Sequence, residues 1–120
     1  MTSTELLART KSFALAVIRY SARVPQRLEV RIIMRQLLRS ATSVGANYRA
    51  ACRARSRADF IAKMSIVEEE ADESQYWLEL LAALLPKPGA ETEVLRKEAG
   101  ELVAIAVASK KTAKVQGRVS

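Results

Sequence analysis

The chain contains no histidine among its 120 residues. That removes the usual general base, the serine–histidine nucleophile pair and the commonest transition-metal ligand. A ferritin-like di-iron bundle, which needs Glu-x-x-His on two helices, is excluded as well. There is one cysteine, Cys52, so no internal disulfide forms. It reads either as a reactive thiol or as a small helix residue. Glycine (4) and proline (3) are scarce, which disfavours turn-rich β architectures and leaves no Gly-rich phosphate loop. No apolar run reaches the 18 residues of a membrane-spanning helix, and the N-terminal M-T-S-T-E-L-L-A-R lacks a secretory apolar core. A cytoplasmic, membrane-free location is the expectation. Aromatic residues make up only 5% of the chain, so base stacking has little to work with.

Negative charge is the most unevenly missing property. Between Arg19 and Arg57 there are ten arginines and a single carboxylate, Glu29. The balance is +10 over residues 1–57, −6 over 58–85 and +3 over 86–120. Arg23, Arg27, Arg31, Arg35 and Arg39 recur every four residues, a slowly drifting ridge on a helix. The polarity has three readings. The first is a phosphate-binding surface. The second is pairing of basic with acidic helices, within the chain or between subunits, and the third is a solvated face. A general preference for arginine, 13 of the 20 basic residues, accommodates the last.

Apolar residues, 49% of the chain, suffice for one domain with a modest core, and their spacing predicts an all-α protein. Helices are expected over 4–23, 26–54, 57–85 and 90–110, followed by a basic flexible tail over 111–120. Thr4 is the expected first N-cap. Leu6, Phe13, Val17, Tyr20 and Val24 form the first stripe. The second helix carries Val30, Met34, Leu37, Ala41, Val44, Tyr48 and Ala51 in alternating steps of four and three, the left-handed bundle period. Gly45 lies inside it at a cost of about 1 kcal/mol relative to alanine, which makes sense if another backbone approaches there. Ser56 and Asp59 match a capping signal for the third helix. Its seam is Phe60, Met64, Val67, Ala71, Ser74, Leu78, Leu81 and Leu85. Pro86-Lys87-Pro88-Gly89 is a turn. The fourth helix turns Leu95, Ala99, Leu102, Ala106 and Ser109 inward. Tight turns make the architecture an antiparallel up-down-up-down four-helix bundle with long central helices 2 and 3. Shorter outer helices would leave part of the central hairpin bare. Together with off-seam Ile32, Ile33, Leu38, Ile61, Ile66, Trp77, Leu80 and Leu84, this points to a homo-oligomer.

Two polar constellations stand out. Arg39, Ser40, Ser43 and Asn47 line one side of helix 2. Antiparallel register brings position 39 near 73 and position 43 near 69, so Glu69, Glu70 and Glu73 are candidate partners in a buried network that sets register. The same acids, with Asp72, are alternatively oxygen ligands for a hard divalent cation, although no metal or other cofactor is expected. Arg27, Arg31, Arg35, Arg49, Arg53, Arg55 and Arg57 are the candidate nucleic-acid contacts. The implied function is non-enzymatic: a helical bundle that binds RNA or DNA through helix 2. The rival is a structural adaptor whose basic and acidic helices pair between subunits or with a protein partner.

Three segments carry a resemblance. Q-L-L-R-S-A-T-S-V-G-A-N (Gln36 to Asn47), R-S-R-A-D-F-I-A-K-M (Arg55 to Met64) and E-E-A-D-E-S-Q-Y-W-L-E-L-L (Glu69 to Leu81) occur in order. The chain thereby resembles the S23 four-helix-bundle family, proteins encoded by intervening sequences of 23S ribosomal RNA genes. That resemblance implies an antiparallel bundle and a homopentamer. It also implies kinship with the accessory protein of diversity-generating retroelements, a basic barrel that associates with a reverse transcriptase and nucleic acid. After Asn47 many relatives have I-A-E-G, where this chain has Tyr48-Arg49-Ala50-Ala51-Cys52.

Overall fold

In the computed structural model, which describes residues 1–87 and 89–119, four α-helices follow one another: α1 (Ser3–Ser21), α2 (Leu28–Cys52), α3 (Arg57–Leu84) and α4 (Gly89–Val119). They form an antiparallel four-helix bundle. Each helix packs on its neighbours in sequence, and α1 closes onto α4 across the narrowest of the four interfaces. The body is a rod of 53 × 21 × 18 Å. No helix among the described residues is long and apolar enough to cross a membrane.

The four-and-three spacing decides what is buried. On α2 the inward residues are Val30, Met34, Leu37, Ala41, Val44, Tyr48 and Ala51, joined by Ser40. On α3 they are Met64, Val67, Ala71, Ser74, Leu78 and Leu81, with Leu85 just past the helix end and Phe60 half-buried. A seam of large residues facing one of small residues lets helices close to native packing density. Gly45 sits at such a contact. A Cβ there would lie 3.5 Å from the Thr10 carbonyl carbon of α1, so the two backbones do run close.

The helix ends differ from the sequence expectation where short-range chemistry competes. The first N-cap is Thr2, not Thr4. Its hydroxyl accepts from the Glu5 backbone N–H at 3.1 Å, and the Glu5 carboxylate accepts from the Thr2 backbone N–H at 3.2 Å. T-S-T-E offers this reciprocal box only from Thr2, which stands three residues before the glutamate. Helix α2 starts at Leu28 rather than 26, after an extended Pro25–Arg27 segment. Ser56 caps α3, accepting from the Asp59 N–H at 3.0 Å.

The largest correction concerns the C-terminus. Residues 111–119 are helical, not a flexible tail, and α4 is the longest helix at 31 residues. The outer helices are therefore not both short. Ala113 is buried and continues the seam of Ala99, Leu102 and Ala106. Small side chains hid that seam from the periodicity. Gly117 lies under the Arg57 side chain, whose Cδ is 3.0 Å from where a Cβ would stand. Pro88 of the expected turn and Ser120 of the expected tail lie outside the described residues.

Candidate nucleic-acid interface

Arginine placement divides the charged residues into two populations. One is tied into the fold. Arg9 of α1 grips Glu98 of α4 with two hydrogen bonds of 2.7 Å, and Glu101 stands 3.7 Å away. Arg23, beyond the end of α1, makes a two-pronged pair with Glu91. Lys110 of α4 reaches Glu68 of α3 at 2.7 Å. Lys63 bonds Asp59 one turn earlier at 2.7 Å, which holds the Asp59 carboxyl below its ordinary range. Between α1 and α4 the Tyr20 hydroxyl meets Thr92 at 2.8 Å in a buried bond. Burial of Tyr20 outweighs that bond and raises its pKa.

Arg39 belongs to the same population. It bonds Glu73 and, at 3.2 Å, Glu70, both on α3. The Glu73 bond is the main cause of its raised pKa. Trp77 donates from Nε1 to the same Glu73 oxygen at 3.2 Å. This cluster is a surface staple rather than a buried network, because the Arg39 side chain is 51% exposed. The buried polar link lies one residue further in. Ser40 and Ser74 hydroxyls meet at 2.8 Å with both residues fully buried, and Ser74 also donates to the Glu70 carbonyl at 2.8 Å. Ser43 and Asn47 are not brought to the acids. Asn47 donates to the Ser43 carbonyl on its own helix at 2.8 Å, and Glu69 is exposed on the far side of α3. Half-buried amides near a small-residue seam find the nearest backbone carbonyl first. Among the described residues no group of three or more acids and cysteine is arranged to hold a metal ion.

In the second population four arginines have no such ties among the described residues. Arg31, Arg35, Arg49 and Arg53 are exposed, and none makes an ion pair among the described residues. Arg31, Arg35 and Arg49 stand on the outer side of α2, and Arg53 caps its C-terminal end. Arg27, at the N-cap, is 3.3 Å from Glu29. Arg55 lies in the α2–α3 turn, its backbone N–H directed to Asp59 at 3.4 Å. Arg57 opens α3 and packs on α4. The seven candidate contacts are thus not one patch. Arg27, Arg31 and Arg35 gather at one end of the rod, and Arg49, Arg53, Arg55 and Arg57 at the other.

Two hollows between α1 and α2 give this surface relief. One, about 280 Å³, is lined by Arg31 and Arg35 together with Ser21, Val24, Gln26, Met34 and Leu38. The other, about 480 Å³, has Lys11 and Arg49 on its rim over Ala14, Thr42, Gly45 and Ala46. Lys11 did not stand out in the sequence. It lies outside the arginine ridge, and only the packing of α1 on α2 sets it opposite Arg49. A larger cleft, about 720 Å³, opens at the end of the bundle among Leu6, Tyr48, Phe60, Ile105 and Ala113. Tyr48 there has its pKa pushed up to about 12 by burial and by the adjacent Cys52 thiol. Cys52 itself is exposed.

Comparison with known proteins matches this bundle to one family. A family model described as 23S rRNA-intervening sequence protein matches residues 3–108. A crystal structure of a protein of unknown function from the S23 ribosomal protein family of Bacteroides thetaiotaomicron is similar at a TM-score of 0.83. Identity is 32%, covering 92% of this chain and 99% of that one. No curated protein sequence matches the chain.

Proposed function

The chain belongs to the 23S rRNA-intervening sequence protein family, and on that premise we propose that it is a non-enzymatic helical-bundle protein that binds nucleic acid through the basic outer side of α2. One observation carries the reading. Among the described residues Arg31, Arg35, Arg49 and Arg53 have no acidic partner, whereas Arg9, Arg23 and Arg39 of the same bundle are paired. Unpaired guanidiniums at this density repel one another in the free protein and gain most from a polyanion, whose counterions they release. With Tyr20 and Tyr48 buried, contacts on this side go to phosphates rather than stacked bases.

Fluorescence anisotropy against generic RNA and DNA at 50 mM salt tests it. Micromolar or tighter binding that weakens when Arg27, Arg31 and Arg35 become glutamine supports the reading. Absence of binding, or binding indifferent to those changes, overturns it.

A structural adaptor is the second reading, and exposed apolar residues favour it. Ile32 on α2 and Ile66 and Tyr76 on α3 are 56%, 42% and 52% exposed. They sit beside unpaired arginines on one helix and exposed Glu69, Asp72 and Glu79 on the other. Such faces complement each other between copies, in a pentamer if the S23 resemblance extends to assembly, or toward a protein partner such as a reverse transcriptase. Light scattering of the glutamine variants separates the readings. A smaller assembly favours the adaptor; an unchanged assembly with lost binding favours nucleic acid.

A further inference from the structure

The two hollows between α1 and α2 are lined by four cations and, among the described residues, no acid. Lys11 of α1 and Arg49 of α2 both line the 480 Å³ groove, and Arg31 and Arg35 line the 280 Å³ hollow. None of the four makes an ion pair among the described residues. The rest of the larger groove's lining is Leu7, Thr10, Ala14, Thr42, Gly45 and Ala46, mostly small side chains. Thr42 turns its proton to the Leu38 carbonyl at 2.7 Å, so its oxygen is only an acceptor toward the groove. A ligand that needs donors must find them at the two cationic clusters. Fourteen positions separate Arg35 from Arg49 on α2, about 21 Å at 1.5 Å per residue. The rise of about 3.4 Å per step is measured along the duplex axis, and successive phosphates of one strand lie about 6–7 Å apart, so about 21 Å along the strand is about three phosphate steps.

We infer that the α1/α2 groove seats one sugar–phosphate strand of a double-stranded nucleic acid, gripped at two places: by Lys11 with Arg49, and by Arg31 with Arg35. This rests on the proposed nucleic-acid reading and deepens it. It names the duplex as the substrate class, adds Lys11 on α1 as a contact, and sets the span. A flexible single strand needs aromatic platforms to hold it. This side exposes none, since Phe13, Tyr20 and Tyr48 are buried and the exposed Tyr76 belongs to α3. A duplex presents its strand as a stiff ridge, which a groove with rims of charge can follow without contacting bases.

The test is anisotropy with the full chain and labelled 20-base-pair RNA and DNA duplexes, compared with single strands of 20 bases. The variants are K11Q/R49Q, R31Q/R35Q and, away from the groove, K87Q/K97Q. Each groove pair is expected to lower affinity for the long duplex on the order of 100-fold at 50 mM salt, and to flatten the salt slope by about two. K87Q/K97Q leaves both nearly unchanged. Single strands of 20 bases bind more weakly than the duplex, and equal or tighter single-strand binding overturns the duplex assignment. The charge-conserving K11R/R49K variant retains long-duplex binding, which separates lost contacts from lost folding.

If K11Q/R49Q binds the long duplex as wild type does while R31Q/R35Q does not, the two-point groove is wrong and the broader nucleic-acid reading stands. If the wild-type chain binds no nucleic acid, both fall. If K11Q/R49Q halves or further reduces the scattering mass, the groove is a seat for a second copy, and the inference is overturned.

Discussion

The two sides of α2 are built from similar residues and behave oppositely. Toward α3, Arg39 finds Glu70 and Glu73, and Ser40 finds Ser74. One turn before Arg39, Arg35 on the outer side finds no acid among the described residues. The four-residue arginine ridge drifts by about 40° per step on a 3.6-residue helix. That drift carries it from the bare side onto the α3 border at Arg39. A single sequence pattern thus supplies both a staple of the fold and a surface free for a partner. An arginine's role here is set by whether its neighbour helix brings an acid.

The inner side should be the one that cannot be altered. Ser40→Leu, or Ser74→Leu, places a large side chain where both serines are fully buried and should cost about 1–3 kcal/mol or more. Arg35→Leu on the outer side should stay within about 0.5 kcal/mol. Urea denaturation of the three variants checks the contrast.

Next in size is the staple itself. Arg39→Gln should destabilise only slightly, because the pair is half exposed and screened by solvent. Arg35→Gln should be neutral, or slightly stabilising through relief of repulsion. Thermal melts at low and high salt sharpen this, since the Arg39 loss and any Arg35 gain, opposite in sign, should both shrink as salt rises.

Gly45 lies between the two sides, and alanine there is expected to be tolerated. Its Cβ would meet Thr10 at 3.4–3.5 Å, ordinary contact. The gain in helix propensity is up to about 1 kcal/mol. Gly45→Ala should therefore raise the urea midpoint or leave it unchanged. A clear loss would mean that α1 and α2 are closer than described.

The smallest expected effect is spectroscopic. Tyr48 should ionise near pH 12 in the folded protein. Its folded-state pKa lies above the ordinary value near 10. The associated stability is therefore complete below about pH 10 and is lost as pH rises toward 12. Ultraviolet titration of the Y48F variant against wild type isolates that proton.

Much of the fold was readable in the residues, since alternating steps of four and three mark the buried seams of α2 and α3. Gly45 likewise announced a close approach, and Ser56 with Asp59 a helix start. The end of α4 was not readable, because past Ala106 the seam is carried by Ala113, a side chain too small to register as apolar periodicity. Polar partners were only partly so. Counting outward from the α2–α3 turn set Arg39 near Glu73, but also Ser43 near Glu69, which lies on the far face of α3. Charge composition pointed to α2, yet could not distinguish a paired arginine from a bare one. That distinction depends on long-range contacts such as Arg9 with Glu98, 89 positions apart.

The partition between tied and bare arginines is most directly tested by the salt dependence of duplex binding in two triple variants of equal charge loss. R31Q/R35Q/R49Q removes bare guanidiniums, and R9Q/R23Q/R39Q removes tied ones. The first should flatten the slope of log affinity against log salt by about three, and the second should leave it at the wild-type value. Equal flattening by both would show that binding follows total charge rather than this surface, and would contradict the account.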